Sequence, residues 1–133
     1  MARLILDTGL LISAERDAKG LAALLDDEDD VTIAAVTVAE LQLGVELAES
    51  GPRRDRRQEF VDSVRALIPV EDYTGHVAVI HARLLAHVRR EGKPGGAHDL
   101  IIAATAAATA RTLLTTDSKA AFGDLPGVHS RQR

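Results

Sequence analysis

The sequence predicts an α/β fold, a short parallel sheet flanked by helices on both faces, and three observations predict it. Residues 3–6 (Arg-Leu-Ile-Leu), 31–36 and 112–116 are short apolar runs without polar alternation, the pattern of strands covered on both sides. Stretches with apolar residues at helical spacing separate these runs, so strand and helix alternate along the chain. Residues 100–110 are small and apolar almost all round, as in a helix buried inside a globule. The chain has 133 residues, 46% of them hydrophobic. That is the size of a single domain spanning 1–133, able to bury roughly two thirds of its unfolded surface.

Composition narrows the chemistry. With no cysteine there is no thiolate nucleophile and no cysteine zinc site, so a metal would be held by carboxylates, histidines or carbonyls, a donor set that favours a hard cation. The net charge of -4 argues against a general electrostatic hold on nucleic acid, while leaving room for a local basic patch. Aromatics make up only 2%, too few for a stacking platform that grips single strands. No apolar run approaches the ~20 residues of a membrane span, and the start is acidic too early for a secretory signal. The expected location is the cytoplasm, with no membrane contact.

Taken in order, residues 3–6 form the first strand, and Asp7-Thr8 ends it. Leu10, Leu11, Ile12 and Ala14 begin a helix, and Gly20 separates it from a turn through Leu21, Leu24 and Leu25. The acidic run 26–30 reads as a solvated loop. The second strand is 31–36, and Thr37-Val38-Ala39-Glu40 opens a helix that Ser50-Gly51-Pro52 stops. Arg53, Arg54, Arg56 and Arg57 then lie on a helix reaching Leu67, either as a solvated face or as a patch touching phosphates or a partner. Residues 67–70 are a candidate third strand and 72–90 a helix. His76, His81 and His87 on that helix lack the i, i+4 spacing of a metal-binding pair, so they read as solvated or packing residues. Asp99 opens the buried helix, residues 112–116 return as a strand, residues 118–122 read as a short helix, and Val128-His129 is a candidate edge strand.

In parallel sheets of this kind, ligands bind beyond the carboxyl ends of the strands. Asp7 and Asp117 directly follow strands, Glu40 lies just after another, and Asp99 starts a helix, so all four acids are expected at one rim. Taken singly, each aspartate can cap a helix for about 1 kcal/mol, and Thr37 with Glu40 fits a capping box. Taken together they repel. Two carboxylates at ~4 Å cost about 4 kcal/mol at an effective dielectric of 20, so a cluster must bind protons or a cation. Oxygen-only ligands favour Mg²⁺ or Mn²⁺, which can polarise a phosphate oxygen and activate a bound water. Thr8, Thr115, Thr116 and Ser118 supply nearby hydroxyls that can orient substrate or water, or simply serve as turn and cap residues.

Leu4-Ile5-Leu6-Asp7-Thr8, Thr37-Val38-Ala39-Glu40, Gly96-Ala97-His98-Asp99-Leu100-Ile101-Ile102-Ala103 and Leu114-Thr115-Thr116-Asp117, with Phe122 five residues on, resemble the four acidic motifs of PIN-domain nucleases. The compact length and the start of the Asp99 helix resemble the VapC toxins of bacterial type II toxin-antitoxin pairs in particular. The resemblance covers nearly the whole chain and implies a three-layer PIN-like fold. It also implies an endoribonuclease that uses Mg²⁺ or Mn²⁺, forms a homodimer and is silenced by a cognate VapB-type antitoxin in a hetero-oligomer. By position, Asp7 and Asp99 correspond to direct metal ligands, and Glu40 and Asp117 to ligands acting directly or through water. Gly9, where many relatives carry serine, and Gly95, where they often carry an apolar residue, depart from the pattern. The competing readings are a PIN-like binding module without catalysis, and a metal-dependent nuclease or phosphatase acting on another substrate.

Overall fold

The computed structural model describes residues 1–17, 19–25, 28–93, 96–116 and 122–133. Among these, β1 (Arg3–Leu6), β2 (Asp30–Ala34), β3 (Val70–Glu71), β4 (Thr112–Thr115) and β5 (Ser130–Gln132) form one sheet in the order β3-β2-β1-β4-β5. Every neighbouring pair is parallel. The helices are α1 (Thr8–Arg16), α2 (Ala35–Leu47), α3 (Pro52–Leu67), α4 (Gly75–Glu91) and α5 (Ala97–Ala108), with 3₁₀ turns at Leu21–Leu24 and Phe122–Asp124.

The side-chain period of two along each strand divides the apolar residues between two cores. Leu4, Leu6, Ile33 and Leu114 point to one face and pack with Leu10 and Leu11 of α1, Leu41 and Val45 of α2, and Val61 and Val64 of α3. Ile5, Ala34 and Leu113 point to the other face, against Val77 and Leu84 of α4 and Leu100, Ile102, Ala103, Ala104 and Ala106 of α5. The result is the expected three-layer arrangement. The all-round apolar character of α5 follows from its position: Ile102, Ala103, Ala104 and Ala106 are each fully buried.

Several boundaries differ from the sequence reading. The second strand ends at Ala34, and α2 starts at Ala35 rather than Thr37. α3 runs through Leu67, which leaves only Val70 and Glu71 to pair with Ile33 and Ala34. α4 starts at Gly75, after Thr74 accepts a capping hydrogen bond from the amide of Val77. β4 stops at Thr115, and the edge strand is Ser130–Gln132 rather than 128–129, because Leu113 takes Ser130 as its partner. The acidic run is not simply a solvated loop. Asp29 accepts from the amide of Ala2, and Asp30 is paired with both Arg3 and Arg111 at the start of β2. Asp26, Asp27 and Gly95 lie outside the described residues, as does the expected 118–122 helix apart from Phe122. No helix among the described residues is long and apolar enough to cross a membrane.

Candidate active site

The strand order places a crevice at the ends of β1 and β4. From β1 the chain moves outward to β2 and β3, then returns to the opposite side of β1 as β4. The carboxyl ends of β1 and β4 therefore flank the point where the order reverses, which is where open parallel sheets bind ligands. Asp7 follows β1 at this point, and its amide continues the ladder by donating to the carbonyl of Leu114 at 3.0 Å.

Asp7 is buried, at 6% exposure. It is the residue before α1, yet its side chain makes no capping hydrogen bond there. Instead Thr115 donates from Oγ1 to Asp7 Oδ2 at 2.9 Å. Glu40 does not close a capping box either. With α2 starting at Ala35, Thr37 and Glu40 both lie inside the helix, three residues apart and on one face. Thr8 Oγ1 lies 2.8 Å from Glu40 Oε1 and 3.0 Å from Thr37 Oγ1. The other oxygen of Glu40, Oε2, is 3.4 Å from His98 Nδ1 in the first turn of α5.

Asp99 is the third residue of α5 rather than its cap; Gly96 occupies the cap position. An acid in the first turn lies in the favourable field of the helix N-terminus. A Cβ on Gly96 would come within 2.8 Å of Asp99 Oδ2, so the carboxylate folds back into space that only glycine leaves open. Thr8, next to Asp7, hydrogen-bonds one oxygen of Glu40, and His98, next to Asp99, lies 3.4 Å from the other, so Glu40 stands near both flanking segments.

The four expected hydroxyls divide. Thr8 and Thr115 are buried and committed to carboxylates, so they support the acids and do not face a substrate. Thr116 is exposed, and its Oγ1 is 3.9 Å from where a Cβ on Gly9 would sit, the same point lying 3.7 Å from Asp7 Oδ2. Gly9 thus leaves open space beside Asp7. Ser118 and Asp117 lie outside the described residues. Sequence reasoning passed over His98, Thr37 and Gly96 as parts of the site. Their signals were local: His98 and Gly96 adjoin the Asp99 turn, and Thr37 sits three residues before Glu40.

The arginine group also divides. Arg54 pairs with Glu46 at 3.1 Å and Arg57 donates to the carbonyl of Gly44 at 3.0 Å, tying α3 to α2. Arg53 and Arg56 are exposed, on a groove of about 580 Å³ shared with Arg16, Arg57, Glu15 and Glu59. Of the histidines on α4, His81 accepts or donates at Nδ1 to the Tyr73 hydroxyl at 2.8 Å, a packing role.

Among the described residues no three acids or histidines close around one point as a finished metal site does. A closed set is not what Mg²⁺ requires, because it keeps several waters and takes one or two carboxylates from a protein. The acids gathered here supply only oxygen donors. One of them, the Asp7 carboxylate, is buried at the crevice, and Glu40 is hydrogen-bonded to the adjoining Thr8, so the residues present fit a hard divalent ion.

Comparison with known proteins agrees with the fold. The sequence profile described as PIN domain matches residues 4–126. "Ribonuclease VapC5" of Mycobacterium tuberculosis is 34% identical over 128 residues, covering 95% of this chain and 90% of that protein. "Ribonuclease VapC" of Rickettsia bellii is 28% identical over 116 residues, 87% of this chain and 86% of its own. The crystal structure of VapBC-5 from Mycobacterium tuberculosis, a member of the VapBC toxin-antitoxin family, superimposes with a TM-score of 0.76 at 30% identity, covering 99% of this chain and 98% of that one. VapBC2 from Rickettsia felis, crystallised with a promoter DNA fragment, gives 0.86 at 22% identity over 98% of each chain, which speaks to the fold alone. The chain belongs to the PIN-domain family, among its VapC-type members.

Proposed function

We propose that this chain is the toxin of a VapBC-type pair: an endoribonuclease that hydrolyses RNA phosphodiester bonds with Mg²⁺ or Mn²⁺. The supporting observation is the gathering of Asp7, Glu40 and the first turn of α5 at the point where the strand order reverses. In this reading Asp7 and Asp99 hold the ion directly, and Glu40 and Asp117 complete the acidic set directly or through water. When bound, the ion polarises a phosphate oxygen and makes a bound water a stronger nucleophile near neutral pH.

The chain's own residues position and exclude. Thr115 fixes the Asp7 carboxylate, while burial keeps bulk water from its sheltered side. Thr8 donates to one oxygen of Glu40 and His98 lies 3.4 Å from the other, so lone pairs remain on both oxygens to orient water or a ribose hydroxyl. Hydrolysis adds water oxygen to phosphorus as the bond to the leaving sugar oxygen breaks; the water gives up a proton and the leaving oxygen gains one. Exposed Arg53 and Arg56 are the members of the arginine group available to RNA backbone or to a partner. The reading includes action in the cytoplasm as a homodimer within a single-domain chain, and silencing by a VapB-type antitoxin. Exposed Ile12, Leu43 and Leu47 on α1 and α2, and Leu67, Tyr73 and Val79 on and around α3 and α4, are apolar side chains available to such partners.

The test is cleavage of RNA and DNA side by side with added Mg²⁺, using the native chain, Asp7→Asn and Asp99→Asn. The expected result is RNA cutting that falls by about 100-fold or more in each variant, at or beyond the upper end of losses from supporting residues at metal sites. Cutting by both variants at the native rate would remove the catalytic reading. Preferential cutting of DNA would change the substrate class.

A further inference from the structure

We infer that Thr37 and Thr8 form a buried, directional hydroxyl relay whose function is to position Glu40. This rests on Glu40 belonging to the active site as proposed above. Thr37 is 0% exposed and Thr8 is 5% exposed, so neither hydroxyl faces solvent. Among the described residues, the only hydrogen-bonding partner of the Thr37 hydroxyl is Thr8 Oγ1, at 3.0 Å. Thr8 Oγ1 also lies 2.8 Å from Glu40 Oε1.

A hydroxyl carries one proton and an ionised carboxylate carries none. The proton on the short contact to Glu40 therefore belongs to Thr8. Thr8, having given its proton to Glu40, can only accept from Thr37, so the order runs Thr37 to Thr8 to Glu40. Donation from Thr37 polarises the Thr8 hydroxyl and strengthens its hold on the carboxylate. It also removes the other orientation available to Thr8.

The relay joins the two helices that leave the neighbouring strands β1 and β2, whose pairing ends at Leu6 and Ile33. Thr8 is the first residue of α1, while Thr37 and Glu40 lie one turn apart on α2. Since α1 begins next to Asp7, fixing Glu40 to Thr8 fixes it relative to Asp7. Thr8 and Thr37 are thus positioning residues. They act through Glu40 and touch no substrate.

An ordered relay has a distinctive mutational signature. Thr8→Val removes the donor to Glu40 and keeps the shape; Thr8→Ser keeps the donor. Thr8→Val is expected to lower kcat for RNA cleavage by about 10-fold or more, with KM for RNA little changed, and Thr8→Ser to restore most of it. Thr37→Val is expected to lower kcat by less, and to add no further loss in a Thr8→Val background, because it acts only through Thr8. Crystal structures of Thr8→Val supply a readout independent of activity: Glu40 Oε1 is expected to leave its present position.

The relay is overturned if Thr8→Val cuts at the native rate while Asp7→Asn is inactive, or if Thr8→Ser is as impaired as Thr8→Val. It is also overturned if the two valine substitutions multiply, or if Glu40 stays in place in the Thr8→Val crystals. Should the native chain cut no RNA at all, the proposed function fails instead, and the Glu40 position in the Thr8→Val crystals still decides the relay.

Discussion

At Gly96 a single methyl group would arrive 2.8 Å from Asp99 Oδ2, closer than any Cβ contact tolerates. The backbone there, at φ -61° and ψ 131°, accepts alanine without strain. The conflict is therefore with the Asp99 carboxylate alone. Gly96→Ala is expected to change thermal stability little, since the about 0.4–1 kcal/mol gained from a stiffer unfolded chain is offset by alanine's poorer fit at a helix N-cap. The same substitution should turn Asp99 out of place and reduce RNA cleavage. Full activity with native stability would show that the carboxylate has room to spare. Individual residues are where the sequence was least legible. Asp7, Glu40 and Asp99 stood out by position relative to strands and helix starts, but Thr37 and Glu40 also matched a local capping pattern. That pattern fails because the helix starts two residues before Thr37, which puts both side chains on a face turned toward α1.

Elements are tied together at the opposite end of β4 by Arg111. It is 7% exposed, donates through Nη1 to the carbonyls of Leu4 and Asp30 and to the Asp30 carboxylate, and through Nε to Glu71. One side chain thereby joins the segment before β4 to β1, β2 and β3. Removing it strands the Glu71 carboxylate, leaves Asp30 with Arg3 alone and takes a donor from two carbonyls. Arg111→Met is expected to destabilise the fold by about 3 kcal/mol, the low end for breaking a buried pair, because both carboxylates keep partial access to water. Urea denaturation measures this, and a change below about 1 kcal/mol would mean the ion pairs contribute no more than surface pairs do. In sequence, Arg111 was one basic residue before a strand, with partners 40 and 81 positions away. Nothing local announces contacts of that range. By contrast β1, β2, β4 and the buried α5 were legible, because continuous apolar runs and an all-round apolar helix leave few other placements. The two-residue β3 and the exposed β5 were misplaced for the opposite reason: pairing alone defines them, and their side chains carry little apolar signal.

For the whole molecule, the decisive feature is the reversal of strand order beside β1. Sequence alone placed the acids at the carboxyl edge of the sheet. The reversal adds which strands lie side by side there, and so why Asp7 and the end of β4 share a crevice. In the function proposed, a divalent ion is what keeps a buried carboxylate and its acidic neighbours in such a crevice. The direct measurement is calorimetric titration of Mn²⁺ into the native chain and into Asp7→Asn and Asp99→Asn. The account expects saturable binding by the native chain that both substitutions abolish or greatly weaken. An isotherm identical in all three proteins, or no saturable binding in any of them, would contradict it.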